Sequence, residues 1–213
     1  MNTPSPPPRR SFRAQMHEAR AQAIVAAAGR LLGEKGFEAM TLDEVAAQVG
    51  VAKASLYKHF AGKEDLCATA MARAVERLSE FLEGLPPGLP PLECLQRLLR
   101  WLLSLQLTDE LPLLLSRNSG LQRPLKECAA YQSALQCVSA RVMEWITAAQ
   151  GQGLLSRVLP AEVILYSIYA RSADPLLSML REQGGYTDEQ IVDWAVQTCF
   201  DGLKSRQASI PTD

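Results

Sequence analysis

The sequence predicts an all-α protein with a small N-terminal helix-turn-helix unit and a larger C-terminal helical domain. Three observations carry this. From residue 14 onward the apolar positions recur at spacings of three and four, with no sustained strand alternation. Glycine and proline clusters cut that pattern into about nine segments. Residues 40–59, MTLDEVAAQVGVAKASLYKH, read as two short helices joined by a tight glycine turn.

Composition sets the outer limits. Of 213 residues, 47% are hydrophobic, enough to build a core. No apolar run approaches the roughly 18–20 residues of a membrane span. The polar, proline-rich N-terminus has no apolar stretch before Ile24, so it does not read as a secretory signal and a cytoplasmic location is expected. Cys67, Cys94, Cys128, Cys137 and Cys199 show no CxxC spacing, and their odd number fits reduced, packed thiols. The net charge is −1, but residues 1–65 carry nine Lys and Arg against seven Asp and Glu, a small basic excess at the N-terminal end.

Taken in order, residues 1–13 are expected to be a disordered arm: Pro4, Pro6, Pro7 and Pro8 exclude a helix, and Arg9, Arg10 and Arg13 follow. Such an arm suits a DNA minor groove or phosphate backbone, or is simply a solvated tail. The first helix runs about 14–34, with Ile24, Ala28, Leu31 and Leu32 on one side and Gly36 as its stop. The second runs about 42–49, the third about 53–59, and the fourth from Lys63 to about 83, where glycines and prolines end it. The fifth, about 91–106, is apolar on most of its circumference and is placed centrally. A short sixth covers about 109–117. The seventh, about 123–150, carries Pro124 in its first turn and ends at Gly151 and Gly153. The eighth runs about 160–182, with Pro175 as an expected kink or break. The ninth, about 187–205, opens with a Thr187–Gln190 capping box, and residues 207–213 read as a flexible tail.

The stretch at 40–59 carries the chemistry. Thr41 caps one short helix, with Glu44 three residues on. Val45 and Val49 face inward, and Gly50 supplies the positive φ that a sharp bend needs. Leu56 anchors the second helix. Lys53, Ala54, Ser55, Tyr57, Lys58 and His59 are then left to point elsewhere. Cations, hydroxyls, an aromatic ring and a methyl together suit phosphates, base edges and a thymine methyl. Lys63 opens the next helix, whose free N–H groups also attract phosphate.

Residues 20–70 resemble the TetR family of repressors. The resemblance rests on EKGFEAMTLDEVAAQVGVAKASLYKHF, with its LYxHF block (Leu56, Tyr57, Lys58, His59, Phe60), followed by GKEDL with Lys63. It implies that the third helix enters the major groove, that residues 14–62 form the DNA-binding domain, and that Thr41, Lys53, Tyr57, His59 and Lys63 touch DNA. One departure is Ala52, where the family often has a capping Ser or Thr; losing that cap costs about 0.5–2 kcal/mol and removes an expected phosphate contact.

The resemblance further implies that residues 63–206 bind an effector and dimerise. The last two helices are the expected homodimer interface, through Val163, Ile164, Tyr166, Ile168, Tyr169, Leu176, Leu177, Leu180, Val192, Ala195, Val196 and Cys199. Two-fold pairing would set two reading helices about 34–36 Å apart on a palindromic operator. Candidate effector contacts are Trp101, Leu105, Leu113, Tyr131, Leu135 and Trp145, with Arg117, Asn118 and Arg171 to orient the ligand. A small apolar or aromatic effector that releases a repressor from double-stranded DNA is therefore expected, with no cofactor and no metal. Catalysis is disfavoured: there are two histidines, His17 and His59, and no GxSxG, HExxH or GxGxxG. The alternative trigger is thiol oxidation at Cys94, Cys128 or Cys137.

Overall fold

A computed structural model describes residues 12–108, 119–172 and 174–204. The described residues form ten α-helices and one 3-10 turn, with no strand beyond an isolated bridge between Leu155 and Lys204. The expected arm up to Ser11, the sixth helix at 109–117 and the tail at 207–213 lie outside the described residues.

The N-terminal head contains α1 (Phe12–Ala39), α2 (Leu42–Val49) and α3 (Lys53–Leu56). α1 starts two residues earlier than the sequence suggests, so Phe12 and Arg13 are helical rather than part of an arm. Gly36 interrupts it with φ 76° and ψ 170°, which explains why the periodic pattern stops there. The Thr41–Glu44 capping box is present: Glu44 N–H donates to Thr41 Oγ1 at 3.3 Å and Thr41 N–H donates to Glu44 Oε2 at 2.9 Å. Gly50 adopts φ 70°, ψ 35°, and its N–H closes the end of α2.

The body begins with α4 (Lys63–Glu83), which runs into the Gly84–Pro90 loop and α5 (Pro91–Leu107). The 3-10 turn at Ser119–Leu121 leads into α6 (Gln122–Glu127) and α7 (Ala129–Gly151). The expected single helix over 123–150 is thus broken at Cys128, where φ −81°, ψ 100° is extended backbone. The break strands the Leu125 carbonyl, and Gln132 Nε2 donates to it at 2.9 Å. The expected eighth helix is also two: α8 (Ala161–Arg171) and α9 (Leu176–Gln183). Pro175 has no N–H to continue the ladder, and Asp174 caps α9 by accepting from Leu176 N–H at 2.9 Å. α10 (Asp188–Leu203) opens with the predicted Thr187–Gln190 capping box.

One buried apolar cluster runs from Ile24 to Leu203. α4 joins its two halves by packing on both α1 and α7. α5 lies against α7, α8 and α10 with Leu95, Leu98, Leu99 and Leu103 fully buried, although Arg97 and Arg100 face solvent. No described helix is long and apolar enough to cross a membrane.

Candidate nucleic-acid interface

The geometry of the site starts with what the head buries. Val45, Ala46 and Leu56 join Ile24, Ala27, Ala28, Leu31 and Leu32 in its interior. Val51 N–H donates to the Ala46 carbonyl at 3.0 Å, fixing the angle at which the chain leaves the Gly50 bend. With Leu56 turned inward, helical periodicity carries its neighbours outward. Lys53, Ala54, Tyr57 and Lys58 are exposed, Tyr57 at 54%, and Ser55 is half-buried.

α3 is shorter than the expected 53–59. After Leu56 the chain tightens into a turn: Lys58 N–H donates to Ser55 O at 3.3 Å, and His59 and Phe60 N–H both donate to Leu56 O at 2.9 Å. Tyr57, Lys58 and His59 therefore sit on a turn that extends the helix axis. Ala52 at the N-cap makes no side-chain cap bond, as its sequence identity requires.

The charged groups are less free than the sequence suggests. Lys53 Nζ pairs with Asp43 Oδ2 at 2.9 Å, and that hydrogen bond holds its pKa above the usual lysine value. Lys35 Nζ pairs with Glu44 Oε1 at 2.5 Å, which with the Thr41 bonds holds Glu44 below the usual carboxylate range. Lys63 turns its ammonium back toward the head, 3.4 Å from the Glu38 carbonyl oxygen and 4.5 Å from the centre of the Phe37 ring. The expected anion-attracting turn of α4 is partly occupied by its own carboxylate, since Asp65 Oδ2 accepts the Ala61 N–H at 2.9 Å. Thr41 is exposed but committed to capping α2.

His59 is half-buried, and its ring lies 4.1 Å from that of His17 on α1. Burial, then the electrostatic influence of His17, Arg20 and Lys58, pushes its pKa below the usual histidine value. The His17 contact was not legible in sequence, because the two residues are far apart in the chain.

The candidate effector residues are dispersed. Leu113, Arg117 and Asn118 lie outside the described residues. Trp101 stacks on Phe81, ring centres 4.7 Å apart. Tyr131 is buried, Leu135 is half-buried and packed against the core, and Leu105 is half-buried. Arg171 pairs with Asp174 and donates to Thr198 Oγ1 at 3.3 Å, so it serves the joint between α8 and α10. Trp145 lines a cleft of about 590 Å³ between the α4–α5 loop and α7, with Arg141 5.5 Å above its ring and Cys94 and Cys137 in the wall. Burial pushes the thiols of Cys94 and Cys199 above their usual pKa and that of Cys67 up to about 12, which keeps them protonated and poorly reactive.

The expected dimer face needs correction. Ile164, Ile168, Leu177, Val192, Ala195, Val196 and Cys199 are buried inside the subunit, because α10 packs on α5, α8 and α9, and α8 packs on α5 and α7. Val163, Tyr166, Met179 and Trp194 are large apolar side chains left exposed on these helices, and Val158 and Tyr186 are exposed beside them.

Comparison with known proteins agrees with this geometry. Residues 24–70 match the sequence model of bacterial regulatory proteins of the tetR family. The chain is 36% identical over 80 residues to the HTH-type transcriptional repressor KstR of Rhodococcus jostii (strain RHA1), covering 38% of this chain and 37% of that one. It is 36% identical over 70 residues to the HTH-type transcriptional activator FasR of Mycolicibacterium smegmatis (strain ATCC 700084 / mc(2)155), covering 33% of this chain and 32% of that one. These matches thus span about a third of the curated relatives' length. In fold the likeness covers nearly the whole chain: AibR, crystallised in complex with isovaleryl coenzyme A and operator DNA, superposes with a TM-score of 0.66 at 24% identity, over 85% of this chain and 98% of that one.

Proposed function

We propose that this chain is a DNA-binding transcriptional regulator of the TetR type, which acts as a homodimer and answers to a small molecule. The observation that carries the reading is the surface made by α3 and its following turn. Ala54, Tyr57 and Lys58 stand exposed on an element whose inward residue, Leu56, is fixed in the core by the Gly50 bend. Ala54 offers a methyl-sized contact, Tyr57 and Ser55 offer hydroxyls, and Lys53, Lys58 and Lys63 offer charge to the phosphates. Thr41 positions the front of α2 along the same backbone, and His59 adds a ring donor at the end of the turn.

A single short reading helix grips too little DNA, so pairing is part of the reading. The exposed Tyr166, Val163 and Trp194 supply an apolar face for a second copy, and a two-fold pair would read a palindromic site. The matched relatives include both a repressor and an activator, and we favour repression with release by a small apolar or aromatic effector. Trp145, in the wall of the 590 Å³ cleft, is the predicted ligand contact best placed for it.

The test is selection of duplexes from a random-sequence library by the purified protein. A palindromic sequence should be enriched, and Tyr57→Ala should weaken its binding by about 1–3 kcal/mol without changing the dimer in sedimentation. Tyr57→Ala binding the selected duplex as tightly as the parent would overturn the assignment.

A further inference from the structure

The ring of His17 lies against that of His59, centres 4.1 Å apart and planes inclined by 36°. His17 stands on α1, outside the helix-turn-helix, and is exposed; His59 is half-buried, with the Phe60 ring on another side at 6.2 Å. The charged groups that face His59 are His17 and Arg20 from α1 and Lys58 from its own turn. Each is a cation or becomes one on protonation.

We propose that His17 belongs to the DNA-contacting surface as the partner of His59, and that the two rings form a proton-uptake site that fills when a phosphate docks against them. The inference rests on reading residues 53–59 as the DNA-contacting element. Without DNA, a proton on His59 meets partial burial and the positive neighbours around it, which disfavours the charged ring. A docked phosphate reverses the balance, bringing an anion and a hydrogen-bond acceptor to a ring whose neighbours repel its charge. His59 then binds a proton more tightly with DNA than without. By linkage DNA must bind more tightly as the proton is supplied.

The sign follows. The free pKa lies below the ordinary histidine value, and the bound pKa lies above the free one. Affinity therefore rises as pH falls through the bound pKa and levels off below the free one. One proton taken up gives about a tenfold gain per pH unit inside that interval, and partial uptake gives less.

The probe is the duplex enriched from the random library, labelled with fluorescein and titrated by anisotropy between about pH 5.5 and 8.5 at one fixed salt concentration. Wild type should gain about three- to tenfold per pH unit near neutrality. His59→Gln keeps a donor that does not titrate, and should flatten the profile. His17→Phe keeps a ring for stacking but removes the neighbouring charge, so the rise should move to higher pH. In the free protein, NMR titration of the imidazole protons should show the His59 midpoint rising in His17→Phe, a readout that a merely structural role for His17 would not move. Superimposable profiles for wild type and His17→Phe, with an unmoved His59 midpoint, overturn the proposal, as does a slope that survives in His59→Gln. If instead Tyr57→Ala and Lys58→Ala both bind like wild type, the DNA-contact reading itself fails, and the NMR titration still reports whether the rings are coupled.

Discussion

The head (residues 12–62) and the body (63–204) are specified by different kinds of information. In the head, short-range chemistry fixes the geometry: a capping box at Thr41, a left-handed Gly50 and one buried anchor, Leu56, set where every exposed group points. In the body, packing between distant helices decides: α8 buries Ile164 and Ile168 but exposes Val163 and Tyr166, and α10 buries Val192 and Val196 but exposes Trp194. The exposed side chains of the short helices can therefore be read from local sequence in the head, while in the body exposure depends on which helix covers which.

The largest effect that bears on this contrast comes from Leu56→Ala. Leu56 is fully buried, so the truncation should cost about 2–5 kcal/mol. If the head is a locally specified unit, DNA binding should vanish while far-UV circular dichroism at low temperature and dimer mass stay near wild type, since α3 is only four residues long. Loss of helicity across the chain would instead mean that head and body fold as one, as their continuous core permits.

Gly120 tests the seam between the regions. A methyl placed there would lie 2.8 Å from a Phe37 ring carbon and 2.5 Å from Glu38 Oε1, so the 3-10 turn of the body touches the end of α1 through a contact only glycine allows. Gly120→Ala should cost about 1–3 kcal/mol in thermal melting. It should also alter DNA affinity, because Phe37 carries the ammonium of Lys63 on its ring. Unchanged melting and unchanged binding would show that the body does not brace the head here.

What the sequence made legible follows the same division. Both capping boxes, the Gly36 and Gly50 interruptions and the limits of α2 and α4 come from residues within four positions of one another, and they appear where the pattern puts them. The break at Cys128 was not legible, because no glycine or proline marks it and its compensating bond comes from Gln132, a residue with many other uses. The dimer face was misjudged for a related reason. Ile168 and Val196 differ from Val163 and Tyr166 in their tertiary neighbours, not in apolar character or helical spacing. The ring contact of His17 with His59 likewise joins residues more than ten helical turns apart in sequence, a pairing that only the folded head creates.

The smallest effect is the most diagnostic of how the head handles charge. Asp43 holds Lys53 Nζ at 2.9 Å, with both side chains largely in solvent, so the pair adds little to stability. Its consequence lies in binding: a phosphate that recruits Lys53 must displace Asp43 or approach a carboxylate. Asp43→Asn removes that charge and releases the ammonium. The melting temperature should hardly move, affinity for the selected duplex should rise about two- to fivefold at low salt, and the gain should shrink as salt is added. Weaker binding would mean that Asp43 orients Lys53 for its contact, and the pair would then be part of the reading surface rather than a restraint on it.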